Sequence, residues 1–144
     1  MTRLIRATLL VLQAFVAFTA IYGAAFVLPT MDTSYLNDGP FAEYTILALA
    51  LGLLVGGAAI AACVAPVARP EVAGLAAMLA GLTIVGFELV EIAVVGFTLA
   101  DPTAPGAVAW LQVVYLVVGC VEMALGYALQ RTPGAAGRVG VVGL

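Results

Sequence analysis

Residues 72–99 read VAGLAAMLAGLTIVGFELVEIAVVGFTL, an apolar run whose only ionisable side chains are Glu88 and Glu91. A bilayer hydrocarbon core roughly 30 Å thick is crossed by about 20 apolar residues in a helix, so this run is long enough to span. Three more stretches pass the same test: Leu4 to Leu28, Phe41 to Ala65 and Ala107 to Leu129. Turn chemistry separates them: Pro29 and Asn37-Asp38-Gly39-Pro40, then Pro66 and Pro70, then Asp101-Pro102 and Pro105-Gly106. Pro133 and Gly134 close the fourth run, and no loop is long enough for a soluble domain. The expected fold is an all-α membrane protein, a single four-transmembrane-helix bundle over residues 1–144.

Composition agrees. Of 144 residues, 65% are hydrophobic and 9% charged, whereas a soluble domain is about half apolar and about a quarter charged. Five arginines against eight acids give a formal net charge of −3, with no basic stripe for nucleic acid. His is absent, which removes the usual proton shuttle and the commonest metal ligand. Cys63 and Cys120 stand outside any C-x-x-C spacing, so no metal and no cofactor is expected. Their helical depths differ by roughly 10 Å, too far for a disulfide, and both read as packing residues.

Orientation follows from the arginines. Arg3 and Arg6 precede the first run, Arg69 lies between the second and third, and Arg131 and Arg138 follow the fourth. An even number of spans puts all five on one side, and the positive-inside rule makes that side cytoplasmic, with both termini inside. Tyr35, Tyr44 and Trp110 are expected at the outer interface and Tyr127 at the inner one. The first run, about 22 residues, exceeds the 7–15 of a signal-peptide core, so it is expected to be retained.

Polar groups within spans are costly, face the bundle interior and are functional candidates by default. Here they are Gln13, Glu88, Glu91, Gln112 and Glu122, joined by Tyr115. Glu88 and Glu91 share a helix face with Gly74, Ala77, Gly81, Ile84 and Val95. The fourth run carries a matching stripe of Gln112, Tyr115, Gly119, Glu122 and Gly126. Small residues in both stripes permit close approach, so the stripes are expected to meet. Counting depth at about 1.5 Å per residue pairs Glu91 with Gln112 and Glu122 with Gln13 in expected hydrogen bonds. No basic residue lies at these depths, so at least one of Glu88 and Glu91 is expected to be protonated at neutral pH. Neutral Glu and Gln can also serve only to tie helices together. In the second run Gly52 and Gly56 form a G-x-x-x-G ridge, expected to pack within the bundle.

Several motifs point further. Pro40-Phe41-x-x-Tyr44 opens the second run, Glu88-x-x-Glu91 precedes Gly96-Phe97, and Trp110-Leu111-Gln112-x-x-Tyr115-x-x-x-Gly119 opens the fourth. From Pro40 to Gly119 the chain resembles a group of small four-helix bacterial membrane proteins frequent in actinobacteria. It departs from that pattern at Thr45-Ile46-Leu47-Ala48, where Ile-Pro-Gly is usual, and in a central loop whose basic cluster is reduced to Arg69. The resemblance implies a bacterial cytoplasmic (inner) membrane location and carries no activity. Small multidrug transporters also have four helices and an intramembrane acid, but their acid lies in the first span, where this chain has only Gln13.

The reading expected first is a non-enzymatic accessory subunit binding a membrane protein partner, lipid or a second copy. The alternative is a small oligomeric proton-coupled transporter or channel using Glu88 and Glu91. A lipid- or quinone-directed enzyme is third, because no nucleophile–base arrangement is visible. The outer loop from Pro29 to Gly39 discriminates: as a lid it would cover a cavity reaching Glu91, and as a docking surface it would turn Tyr35, Phe41 and Tyr44 outward.

Overall fold

The computed structural model describes residues 2–30, 43–96 and 110–131, nearly all of them helical. Four helices are long and apolar enough to cross a membrane: Arg3–Thr30, Thr45–Ala68, Pro70–Val94 and Leu111–Arg131. They are called the first to fourth helices here. Neighbours in sequence are neighbours in space, and the fourth helix closes the ring against the first; the third and fourth share the most extensive contact. The arrangement is an antiparallel four-helix bundle. Arg3 and Arg6, Arg69, and Arg131 therefore gather at one end, called the arginine end below.

The distribution of side chains is the reverse of a water-soluble bundle. Phe18, Phe26, Leu53, Val67 and Leu82 point outward, while the centre holds Ala20, Ala59, Ala77 and the polar Gln13, Glu88, Gln112 and Glu122. Lipid is as apolar as leucine, so large aliphatics gain nothing by turning inward, and close contact between small residues holds the helices instead.

The third and fourth helices show this most clearly. Gly74 meets Gly126 and Gly81 meets Gly119, each pair backbone against backbone. Both steps are one heptad, so the same register sets Glu88 opposite Gln112 one heptad further on. Gly52 and Gly56 pack on the first helix, where added Cβ atoms would stand 3.1 Å from Ala24 Cβ and 3.1 Å from Ile21 Cγ1. At this same contact both helices widen into π turns, Gly23–Val27 and Ala50–Gly56.

Helix limits differ from the sequence expectation in several places. The second helix runs through Pro66 to Ala68 rather than stopping at Ala65. A proline in the last turn forfeits a single backbone bond, and termination waits for Arg69, which leaves the helical region at φ −146°. The first helix likewise passes Pro29 as a 3-10 turn, Leu28–Thr30. The third begins earlier, with the 3-10 turn Pro70–Val72, and its α-helix ends at Val95, short of Leu99. Gly96 turns the chain out of the helix at φ 91°, a conformation glycine adopts without steric cost. The second helix starts at Thr45 and the fourth at Leu111, with Glu43, Tyr44 and Trp110 in bends or turns before them. Phe41, Tyr35, Arg138 and the loop from 31 to 42 lie outside the described residues.

Tyr44 is also placed differently. It is 5% exposed and packs with Leu47 against Leu28, Phe87 and Val94. The open space at the head of the second helix accepts an aromatic ring, so burial wins over interfacial anchoring. Trp110 and Tyr127 do face outward, and Arg131 lies 4.4 Å over the Tyr127 ring.

Candidate functional site

Away from the arginine end, residues of the first, third and fourth helices, with Leu51 of the second, line a cavity of about 200 Å³. Its polar lining is Thr19, Tyr22, Glu88, Glu91, Gln112 and Tyr115, with Phe87 and Leu111 among the apolar walls. At about 30 Å³ per liquid water, the space takes several waters or one small molecule.

Each polar side chain is set by its helix. Glu88 and Glu91 are one turn apart in the last turns of the third helix, so both residues line the same space. Gln112 stands in the first turn of the fourth helix, 2% exposed. Its Nε2 donates to the Gly96 carbonyl at 3.2 Å, and its side chain hydrogen-bonds Glu91. One amide thus ties down the released end of the third helix and orients one of the two acids. Tyr115, one turn on, reaches the first helix, where its hydroxyl hydrogen-bonds Thr19. The Thr19 hydroxyl donates to the Phe15 carbonyl at 2.7 Å, so its lone pairs face the phenol. Phe15 and Tyr115 pack ring against ring at 6.5 Å.

Glu88 differs from these. It is 1% exposed, lines the cavity, and neither carboxyl oxygen has a hydrogen-bond partner. A buried polar group left unsatisfied costs about 1–3 kcal/mol. No arginine of the described residues is available at this level, since all lie at the opposite end of the bundle.

Two further buried polar side chains lie nearer the arginine end. Glu122 is 0% exposed with both oxygens unpartnered, and Gln13 is 1% exposed with Oε1 unpartnered. The Glu122–Gln13 hydrogen bond expected from depth is therefore not formed. Depth counting fixes height along the helix but not rotation about it, and a correct level does not ensure that two side chains point at each other. Cys63 of the second helix is close enough to Glu122 for their charges to interact. Gly81 and Gly119 lie between the cavity and the Gln13 and Glu122 level and make the close helix contact there, whereas Gly52 and Gly56 lie outside both.

Thr19 was not singled out from sequence. A lone threonine in an apolar helix most often bonds its own backbone, as this one also does. It is also six residues from Gln13, off that residue's face, so only the tertiary contact with Tyr115 reveals it. Among the described residues no group of three or more His, Cys, Asp or Glu is placed to hold a metal ion.

Among the described residues the architecture is helical, with four helices fit to cross a membrane and a largely apolar cavity into whose wall two acids are set. Neither protein-family models, nor curated proteins, nor solved structures give a match to the chain.

Proposed function

We propose that the chain is a small non-enzymatic protein of the bacterial cytoplasmic membrane, with both termini inside, whose Glu88–Glu91 cavity binds and releases protons. In this reading it is a proton-coupled transporter or channel. The single observation that carries the reading is the Glu88 carboxyl, buried in a cavity with no partner for either oxygen. An acid used only to tie helices together would be bonded to another helix, as Glu91 is through Gln112. A site for an exchangeable proton instead keeps the acid free of a permanent partner.

The orientation rests on the arginines, all at one end, and the bacterial location rests on the resemblance described above. One feature weighs against the accessory-subunit reading: a partner's basic residue would have to open the bundle to meet Glu88.

Purification in mild detergent followed by reconstitution into liposomes loaded with a pH-sensitive dye tests the proposal. Protein-dependent proton movement that falls in both Glu88→Gln and Glu91→Gln supports it. A stoichiometric co-purifying protein, with flux at the level of empty liposomes, would establish the accessory-subunit reading in its place.

A further inference from the structure

Glu122 and Gln13 remain unexplained by the cavity. Both are buried, and three of their polar atoms have no partner. Native proteins rarely leave such groups dry; buried water satisfies them, and here two polar side chains from two helices offer the several bonds an ordered water needs. Towards the arginine end, Arg6 stands one heptad before Gln13 on the first helix, and its Nε is also buried without a partner. Unsatisfied polar groups thus follow one another along the bundle axis.

The sequence of polar groups is interrupted once. Tyr115 and Glu122 are seven residues apart on one helix, roughly 10 Å of rise. That interval is filled by Val16, Val55, Ala59 and Ile84, all buried and packed in a single apolar cluster. The first three helices supply these side chains, and the fourth adds Val118, packed against the cluster, and Gly119, whose carbonyl oxygen touches the third helix. A proton crosses a membrane along hydrogen-bonded water, and an apolar constriction blocks it by staying dry.

We propose that Glu122 with Gln13 forms a second, water-holding proton station, and that the Val16–Ile84 layer is a hydrophobic gate between it and the Glu88 cavity. The proposal rests on the proton-handling reading of that cavity. Cys63 of the second helix lies close to Glu122, Gln13 of the first helix shares its depth by residue count, and the third helix brings the apolar Met78 level with it in the Gly74–Gly126 and Gly81–Gly119 register. No cation from the described residues sits against the carboxyl, so a proton is the charge it can exchange.

The test is a gain of function. Ile84→Ala, and independently Val16→Ala from the opposite helix, opens space for water in the layer. Each is expected to raise proton leak in dye-loaded liposomes about tenfold, the change given by a barrier lowered by about 1.4 kcal/mol. Leu79→Ala, on the exposed face of the third helix, serves as the control and leaves the leak unchanged. Adding Glu122→Gln to Ile84→Ala is expected to return the leak to the wild-type level. Wild-type leak in both Ile84→Ala and Val16→Ala, with helical content retained, would overturn the gate. A leak that survives Glu122→Gln in full would overturn the second station. A leak that survives Glu88→Gln but not Glu122→Gln would overturn the cavity reading and the link between the two stations.

Discussion

Gly81 and Gly119 touch through their backbones: a Cβ on Gly81 would stand 2.5 Å from the Gly119 carbonyl oxygen, and one on Gly119 2.8 Å from the Gly81 oxygen. Neither position can carry a side chain without pushing the third and fourth helices apart. Since Glu88 and Gln112 continue the same register by one heptad, that contact also sets the width of the cavity.

Substitution at this contact is expected to be costly. Gly81→Ala or Gly119→Ala should destabilise the bundle by about 1–3 kcal/mol, the usual range for overpacking. Gly86→Ala and Gly57→Ala, where nothing lies within 4 Å of the added atom, should be close to neutral. Unfolding of the four variants in mixed detergent, followed by circular dichroism, measures the difference; equal effects at all four sites would refute the packing argument.

Glu88 is expected to trade stability for function. With neither carboxyl oxygen bonded, Glu88→Leu removes an unsatisfied group and should leave the bundle as stable as the wild type or up to about 1 kcal/mol more so. Proton movement in liposomes should be lost in the same variant. A large destabilisation would mean that the carboxyl holds the helices together after all.

Gln112 should behave oppositely. Gln112→Leu frees the Gly96 carbonyl and leaves Glu91 without its amide partner. The cost should be about 1–2 kcal/mol, read by the same unfolding assay. Hydrogen exchange should show the loss first in the last turn of the third helix.

The Tyr115–Thr19 contact links the first and fourth helices beside the cavity. A double-mutant cycle of Tyr115→Phe and Thr19→Val should give a coupling of about 0.6 kcal/mol, the average for hydrogen bonds between membrane helices. Strict additivity would show that the hydroxyls do not interact.

The four apolar helices were legible because length and hydropathy alone decide what can cross a bilayer, and 20-residue runs are hard to mistake. The stripes on the third and fourth helices were legible for a similar reason: Gly81, Glu88, Gly119 and Gln112 recur at heptad spacing, which a helix turns into one face. Rotation about the axis was not legible, so Glu122 and Gln13 shared a depth without forming a bond. The inward turn of Tyr44 is not legible, because an aromatic near a helix start has two good environments, the interface and a gap in the core. Only the gap left by Leu28, Phe87 and Val94 decides between them. Pro29 and Pro66 were read as stops, yet each falls in a final turn where few backbone bonds remain to be lost.

The central claim is that Glu88 gains and loses a proton inside the cavity. Infrared spectroscopy of the purified protein across a pH titration, with Glu88→Gln as the difference partner, addresses it most directly. A carboxylic-acid carbonyl band assigned to Glu88 is expected, converting to carboxylate as pH rises and missing from the variant at every pH. A Glu88 signal that stays in one form across the whole stable pH range would contradict it.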